Sequence, residues 1–291
     1  MVAGAQPAVA FDTPAPHVSM LTRVATAVVL IPVFVWVVIA APPWVFPALV
    51  VVASAVGAWE ITRLFARAGR PVYGRLAIAL SPVITASFAL APGITWHAVR
   101  AEAPVLTLAL AIGLILAVTL WSNQRPPTDA AANTLLAVVY VGWLLGHAIS
   151  LHRLAHGGAL VLFLVGVTWA GESAAYLVGS AYGRHSLAPT ISPRKTVEGA
   201  VAQLIVSVAA AGALAAVLVP ECGVGHGVLA GAVLGIVGQI GDLAESVMKR
   251  GAGAKDTGGI IPGHGGLLDR IDSLLFNVPA YYFLTSTGCG A

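Results

Sequence analysis

The sequence predicts an all-α fold, a polytopic integral membrane bundle of about nine transmembrane helices with a cytoplasmic N-terminus. Three observations predict it. First, the 291 residues are 58% hydrophobic and only 9% charged, whereas soluble domains carry about a quarter charged residues. Second, the apolar residues gather into nine runs near 24–41, 45–61, 76–91, 104–121, 134–151, 159–180, 199–219, 227–247 and 272–288. Most approach the roughly 17–25 residues that a crossing helix needs, and in lipid such runs have to be helical because open strand edges leave backbone groups unpaired. Third, with the N-terminus inside, all of the 15 Lys and Arg except Arg100 and Arg153 fall on the inner side, as positive-inside placement requires.

Residues 1–20 contain no Lys or Arg and precede a run of spanning length, so they read as a disordered tail rather than a secretory signal. Residues 21–158 form the N-terminal transmembrane helices and carry little chemistry. Glu60, Arg63 and Arg67 sit at helical spacing and read as an interfacial ion pair. The runs at 76–91 and 272–288 are short and contain Pro82 and Pro279. Residues 159–291 form the C-terminal transmembrane helices. The net charge of +3 reads as inner-loop anchoring, with no nucleic acid as partner. Cys222 and Cys289 make neither a disulfide framework nor a zinc site. Both fall outside, where a disulfide between them can form.

The charges of the second half are concentrated. Eight of the 12 acids lie between Glu172 and Asp272. Glu172 interrupts an apolar run, and a carboxylate there costs about 2.5–3.5 kcal/mol on insertion scales, which marks it as a functional candidate. Asp242, Glu245, Ser246 and Lys249 are spaced i, i+3, i+4, i+7 and share one helix face. Asp269 and Asp272 point one way if the last helix begins near Leu267. Carboxylates without Cys and with little His make a hard oxygen site suited to Mg²⁺. The competing reading is a set of ion pairs that pin loops at the interface.

Between those helices lies a polar loop with Gly251, Gly253, Gly258, Gly259, Gly263, Gly265 and Gly266. Backbone that can approach a ligand closely, beside Lys249, Arg250 and Lys255, suits a polyphosphate. No Walker pattern is present. His264 reads as ligand-contacting or loop-fixing rather than as a base, and Asp256 is a further candidate. A second inner loop contains Ser192, Pro193, Arg194, Lys195, Thr196, Val197, Glu198 and Gly199. Ser192 reads as an N-cap with Pro193 at the first helical position. That would set Arg194 and Lys195 at a helix N-terminus, where an anion is favoured, or leave them as plain inner-side anchors.

Taken together these stretches resemble the phosphatidate cytidylyltransferase family, the CDP-diacylglycerol synthases. The resemblance is carried by Ser246, Lys249-Arg250, Lys255-Asp256, Ile260, His264-Gly265-Gly266 and Asp269-Arg270-Ile271-Asp272. The segment 192–199, and Ala175-Tyr176 with Gly179 and Gly183, add to it. It covers about 165–275 and implies a helical, usually dimeric membrane enzyme that joins CTP and phosphatidate with Mg²⁺ and, in some members, a second cation such as K⁺. By position it implies Asp242, Asp269 and Asp272 as metal carboxylates. Ser192, Lys195, Lys249 and Arg250 match cavity positions, and Arg194, Thr196, Lys255, His264, Gly265, Gly266 and Arg270 are read as contacts of the substrates. Glu172, Glu198, Glu245 and Asp256 are further candidates. The resemblance implies a multi-pass protein of the cell (inner) membrane with its active site facing the cytoplasm. Glu172 stands where the family commonly has Asp, which leaves open a paralogue acting on another lipid phosphate. Other classes are a transporter using Glu172, Asp242 and Glu245 as an ion path, and a non-catalytic scaffold.

Overall fold

A computed structural model describes residues 20–90, 103–254, 256–258, 260 and 265–289, the side chains of 20–27, 287 and 288 excepted. Among the described residues nine helical rods alternate direction. They are α1 (Met20–Ile39), α2 (Val45–Arg67), α3 (Gly74–Ser87), α4 (Ala103–Thr119) and α5 (Pro127–His152). After these come α6 (Gly157–Tyr182), α7 (Val197–Leu218), α8 (Gly223–Gly251) and α9 (Leu268–Gly288). The expected all-helical character is borne out. Five rods, α2, α5, α6, α7 and α8, are long and apolar enough to cross a membrane. α3, α4 and the described part of α1 are apolar but shorter.

Several boundaries differ from the sequence reading for local reasons. α5 starts at Pro127 because proline is well placed at a first helical turn, and it continues through a π-helical segment at Val138–Trp143. Pro82 and Pro279 lie inside α3 and α9 without ending them, as neighbouring helices in a bundle permit. The segment expected to open a helix at Ser192 is instead a strand. β1 (Ser186–Ala188) and β2 (Ser192–Thr196) pair antiparallel between α6 and α7.

The helices pack through small and polar residues rather than through apolar bulk alone, since lipid offers no hydrophobic drive between helices. A Cβ on Gly231 of α8 would stand 2.6 Å from Ser207 O of α7, and one on Gly241 would stand 2.8 Å from Asp272 O of α9. α8 therefore touches both neighbours almost backbone to backbone. Asn277 Nδ2 of α9 donates to Thr168 Oγ1 of α6 at 3.0 Å in the buried interior. Nearby Phe163 and Tyr281 stack with ring centroids 5.1 Å apart.

The two ends of the bundle differ. At one end Arg70 Nη2 donates to Gly251 O at 2.6 Å, Asn133 Nδ2 to Pro71 O at 2.9 Å and Arg250 Nε to Ile191 O at 3.1 Å. At the other, His152 Nε2 lies 3.0 Å from Val38 O, and Arg153 Nη1 donates to Phe88 O at 3.3 Å. His156 lies against Glu221 at that second end. There too Cys222 and Cys289 form a disulfide, which joins the start of α8 to the end of α9.

Candidate active site

The charged end brings together what the sequence separates by up to a hundred residues. Lys195 is the next-to-last residue of β2, and its Nζ lies 2.7 Å from Asp242 Oδ1 on α8. One and two turns further along α8 come Glu245 and Lys249. Lys249 Nζ bridges Glu245 Oε2 at 3.0 Å and Asp269 Oδ1 at 2.8 Å. The i, i+3, i+7 face expected on α8 is therefore real, and α9 begins at Leu268, which meets the condition for Asp269 and Asp272 to point one way. The two faces meet because Gly241 lets α9 approach at Asp272.

The five carboxylates have different surroundings. Asp269 is saturated. Besides Lys249, its Oδ2 accepts from Thr257 N at 3.1 Å, Thr257 Oγ1 at 3.0 Å and Gly266 N at 3.0 Å. Asp242 is the open one, with its side chain 38% exposed. Glu245 is buried, and its Oε1 has no hydrogen-bond donor while facing the Asp272 carboxyl. Glu172 of α6 lies on the same cavity wall as Lys195 and Asp242. Two buried carboxyls this close make a place where a cation is favoured. Among the described residues no three His, Cys, Asp or Glu already stand in metal-holding geometry. The ammonium groups of Lys195 and Lys249 sit against Asp242 and Asp269 instead. The donor set itself is all oxygen, which suits Mg²⁺.

A cavity of about 610 Å³ opens beside this cluster between α6, β2, α7 and α8. Glu172, Tyr176, Arg194, Lys195, Thr196 and Asp242 are on its wall. Its volume lies within the ~300–1,000 Å³ of small-molecule sites.

Several expected roles change. Thr196, not Ser192, is the N-cap of α7, and its Oγ1 accepts from Gly199 N at 3.1 Å. The physical reason is that β1 pairing holds 192–196 extended, so Arg194 and Lys195 reach the cavity from a strand rather than from a helix N-terminus. Glu198 faces away from the cluster. Its carboxylate accepts from His185 Nδ1 at 2.6 Å and from the Arg184 and His185 N–H groups, which ties the hairpin down. Arg250 and Arg270 are exposed at the charged end, and Asp256 is exposed in the loop. Lys255 and His264 lie outside the described residues.

The largest omission is Glu60. It does not pair with Arg63, whose guanidinium lies over the Trp59 ring at 4.5 Å. The Glu60 carboxylate is fully buried and accepts from Leu267 N at 2.9 Å and Leu268 N at 2.8 Å. Helical spacing favours neighbours on the same helix and cannot reveal a partner some two hundred residues away. The glycines beside it have a packing role that the sequence did not show. A Cβ on Gly258 would stand 2.7 Å from Glu60 Oε1, and one on Gly266 would collide with Thr257 Oγ1. Both therefore meet a packing requirement inside the loop.

With this geometry in view, comparison with known proteins is specific. The model of a family described as "Cytidylyltransferase family" matches residues 21–287. A phosphatidate cytidylyltransferase of Bacillus subtilis (strain 168) is 37% identical over 175 residues, covering 60% of this chain and 65% of that protein. One from Staphylococcus aureus (strain COL) is 38% identical over 168 residues, covering 57% and 63%. The uncharacterized protein YnbB of Escherichia coli (strain K12) is 38% identical over 156 residues, covering 54% and 51%. The matched stretch thus spans from about half to just under two thirds of the length of these relatives. Because the family model extends over nearly the whole sequence, and the helices that bear the charged cluster all fall within it, this chain belongs to the cytidylyltransferase family.

Proposed function

We propose that the protein is a CTP:phosphatidate cytidylyltransferase, making CDP-diacylglycerol and pyrophosphate. The observation that carries this reading is the lysine–carboxylate cluster of Lys195, Asp242, Glu245, Lys249, Asp269 and Asp272, which adjoins a nucleotide-sized cavity and lends Lys195 and Asp242 to its wall. The names of the Bacillus and Staphylococcus relatives support it. In the reaction an oxygen of the phosphatidate phosphate attacks the α-phosphorus of CTP. The bond from that phosphorus to the bridging oxygen breaks, and pyrophosphate leaves with its electron pair. No covalent enzyme intermediate is needed.

Both reactants are polyanions, so the site's task is to hold them together and to stabilise the departing charge. Lys195 and Arg194 on β2 face one side of the cavity and are placed to meet phosphate oxygens, and Arg250 and Arg270 are exposed at the same end of the bundle. Mg²⁺ is assigned to Asp242 and Asp272, with Asp269 beside them, where it would neutralise the triphosphate and the leaving group. Glu245 and Glu172 face that position and keep its field negative. Lys249 holds Glu245 and Asp269 in register.

The short helices and α9, added to the five long ones, give nine passes of the cell membrane. The Lys/Arg-rich end, with the N-terminus and the active site, then faces the cytoplasm. The disulfide at the opposite end supports this orientation, because disulfides persist on the oxidising side. The enzyme is proposed to act as a homodimer, and a phosphatidate-like lipid phosphate is the proposed acceptor. Incubating purified protein with radiolabelled CTP, Mg²⁺ and a panel of lipid phosphates tests the assignment. CDP-diacylglycerol from phosphatidate is expected. Turnover only with a different lipid phosphate would redirect the substrate, and no turnover with any would sink the reading.

A further inference from the structure

The end of α2 holds both ends of the glycine-rich loop between α8 and α9, and it does so with charges of opposite sign. Arg70, just past α2, donates from Nη2 to Gly251 O at 2.6 Å, at the C-terminus of α8. Glu60, two turns before the end of α2, takes the N–H groups of Leu267 and Leu268 at the N-terminus of α9. Each contact matches the partial charge of the helix end it meets, positive on a C-terminus and negative on an N-terminus.

Glu60 is the more exacting of the two. α9 has no side-chain cap of its own, since its N-cap position is Leu267. One carboxylate oxygen meets each of two successive N–H groups, so the contact fixes the position of the helix start and also its rotation about its axis. Asp269 follows one residue after Leu268, and Asp272 one turn later. Rotation of α9 is what decides whether Asp269 meets Lys249 and Asp272 meets Glu245. The cradle around Glu60 is built for it, because Gly258 and Gly266 leave no room for a Cβ beside its oxygens. A buried carboxylate is costly unless hydrogen-bonded. A glutamine of the same shape offers only one acceptor to the two N–H groups.

We infer that Glu60 is a positioning residue for the proposed nucleotidyl transfer, acting through α9 on the metal-facing carboxylates. The inference rests on the reading given above, so its test has an arm that does not need catalysis. In that arm, amide hydrogen exchange is followed for a peptide covering 265–272 in wild type and in Glu60→Gln, with thermal unfolding in the same detergent. Faster exchange in that peptide by tenfold or more is expected, with the exchange of α6 and α7 unchanged. In the kinetic arm, Glu60→Gln is expected to lower kcat by tenfold or more and to raise the Mg²⁺ concentration for half-maximal rate, while KM for phosphatidate stays within about twofold. Arg63→Gln, on the same helix but facing Trp59, is expected to match wild type in every readout. Unchanged exchange at 265–272, or a wild-type kcat and Mg²⁺ midpoint in Glu60→Gln, would overturn the inference. A uniform loss of protection across all helices would also overturn it, by showing a general folding role. If the wild type itself turned over no CTP, the functional reading would fail while the exchange arm still decided the cap.

Discussion

Lys249 stands between two buried carboxylates on different helices, 3.0 Å from Glu245 Oε2 on its own helix and 2.8 Å from Asp269 Oδ1 across the loop. This ammonium is the clamp that joins α8 to α9 at the charged end. Its side chain is 14% exposed, and those of Glu245 and Asp269 are 1% and 9% exposed, so water screens the cluster little.

Removing that cation should therefore do more than weaken a surface pair. Lys249→Met is expected to cost about 3–5 kcal/mol, as breaking a buried ion pair from one side does, and to abolish turnover. Thermal unfolding in detergent reads the first effect. A midpoint equal to wild type would show that the carboxylates are not held by this lysine.

The cap on α7 gives a smaller, separable effect. Thr196→Ala removes the side-chain acceptor for Gly199 N and should destabilise by about 0.5–2 kcal/mol. Thr196→Ser, which keeps the oxygen, should recover most of that in the same unfolding measurement. Because Thr196 lines the cavity, the alanine variant should also raise KM for CTP.

Close approach of α8 and α9 is a third testable point. A methyl group at Gly241 would stand 2.8 Å from Asp272 O, so Gly241→Ala must push the helices apart. Overpacking of this kind costs about 1–3 kcal/mol. The larger effect should be on turnover, since Asp242 and Asp272 lie on the two sides of that contact. Gly113→Ala is the matched control, because a Cβ there meets nothing within 4 Å, and it should be neutral in assay.

The orientation proposed above predicts where the disulfide can be reached. After reduction of intact cells, a membrane-impermeant maleimide should label Cys222 from outside. Labelling only after the membrane is opened from the cytoplasmic side would invert the topology.

The sequence showed the helical class and the charged end because both rest on local quantities: run length, apolar content and the one-sidedness of Lys and Arg. It showed the α8 face for the same reason, since i, i+3, i+7 spacing is a property of one helix. Glu60 was illegible because its partners are backbone N–H groups more than two hundred residues away, and a backbone group leaves no residue-type signal. The strand at Ser192–Thr196 was missed because Ser-Pro also fits a helix start, and only pairing with Ser186–Ala188 decides between them. The packing of Gly258 and Gly266 against Glu60 was illegible because a small residue is required equally whether a phosphate or a carboxylate fills the space.

The most direct measurement is the rate of CDP-diacylglycerol formation from CTP and phosphatidate by Asp272→Asn, titrated with Mg²⁺ and set against wild type of equal thermal stability. The account predicts a loss of at least a hundredfold that no Mg²⁺ concentration restores. A wild-type rate with a wild-type Mg²⁺ midpoint would contradict it, because the carboxylates joined at the end of α8 and α9 would then not be the centre of the chemistry.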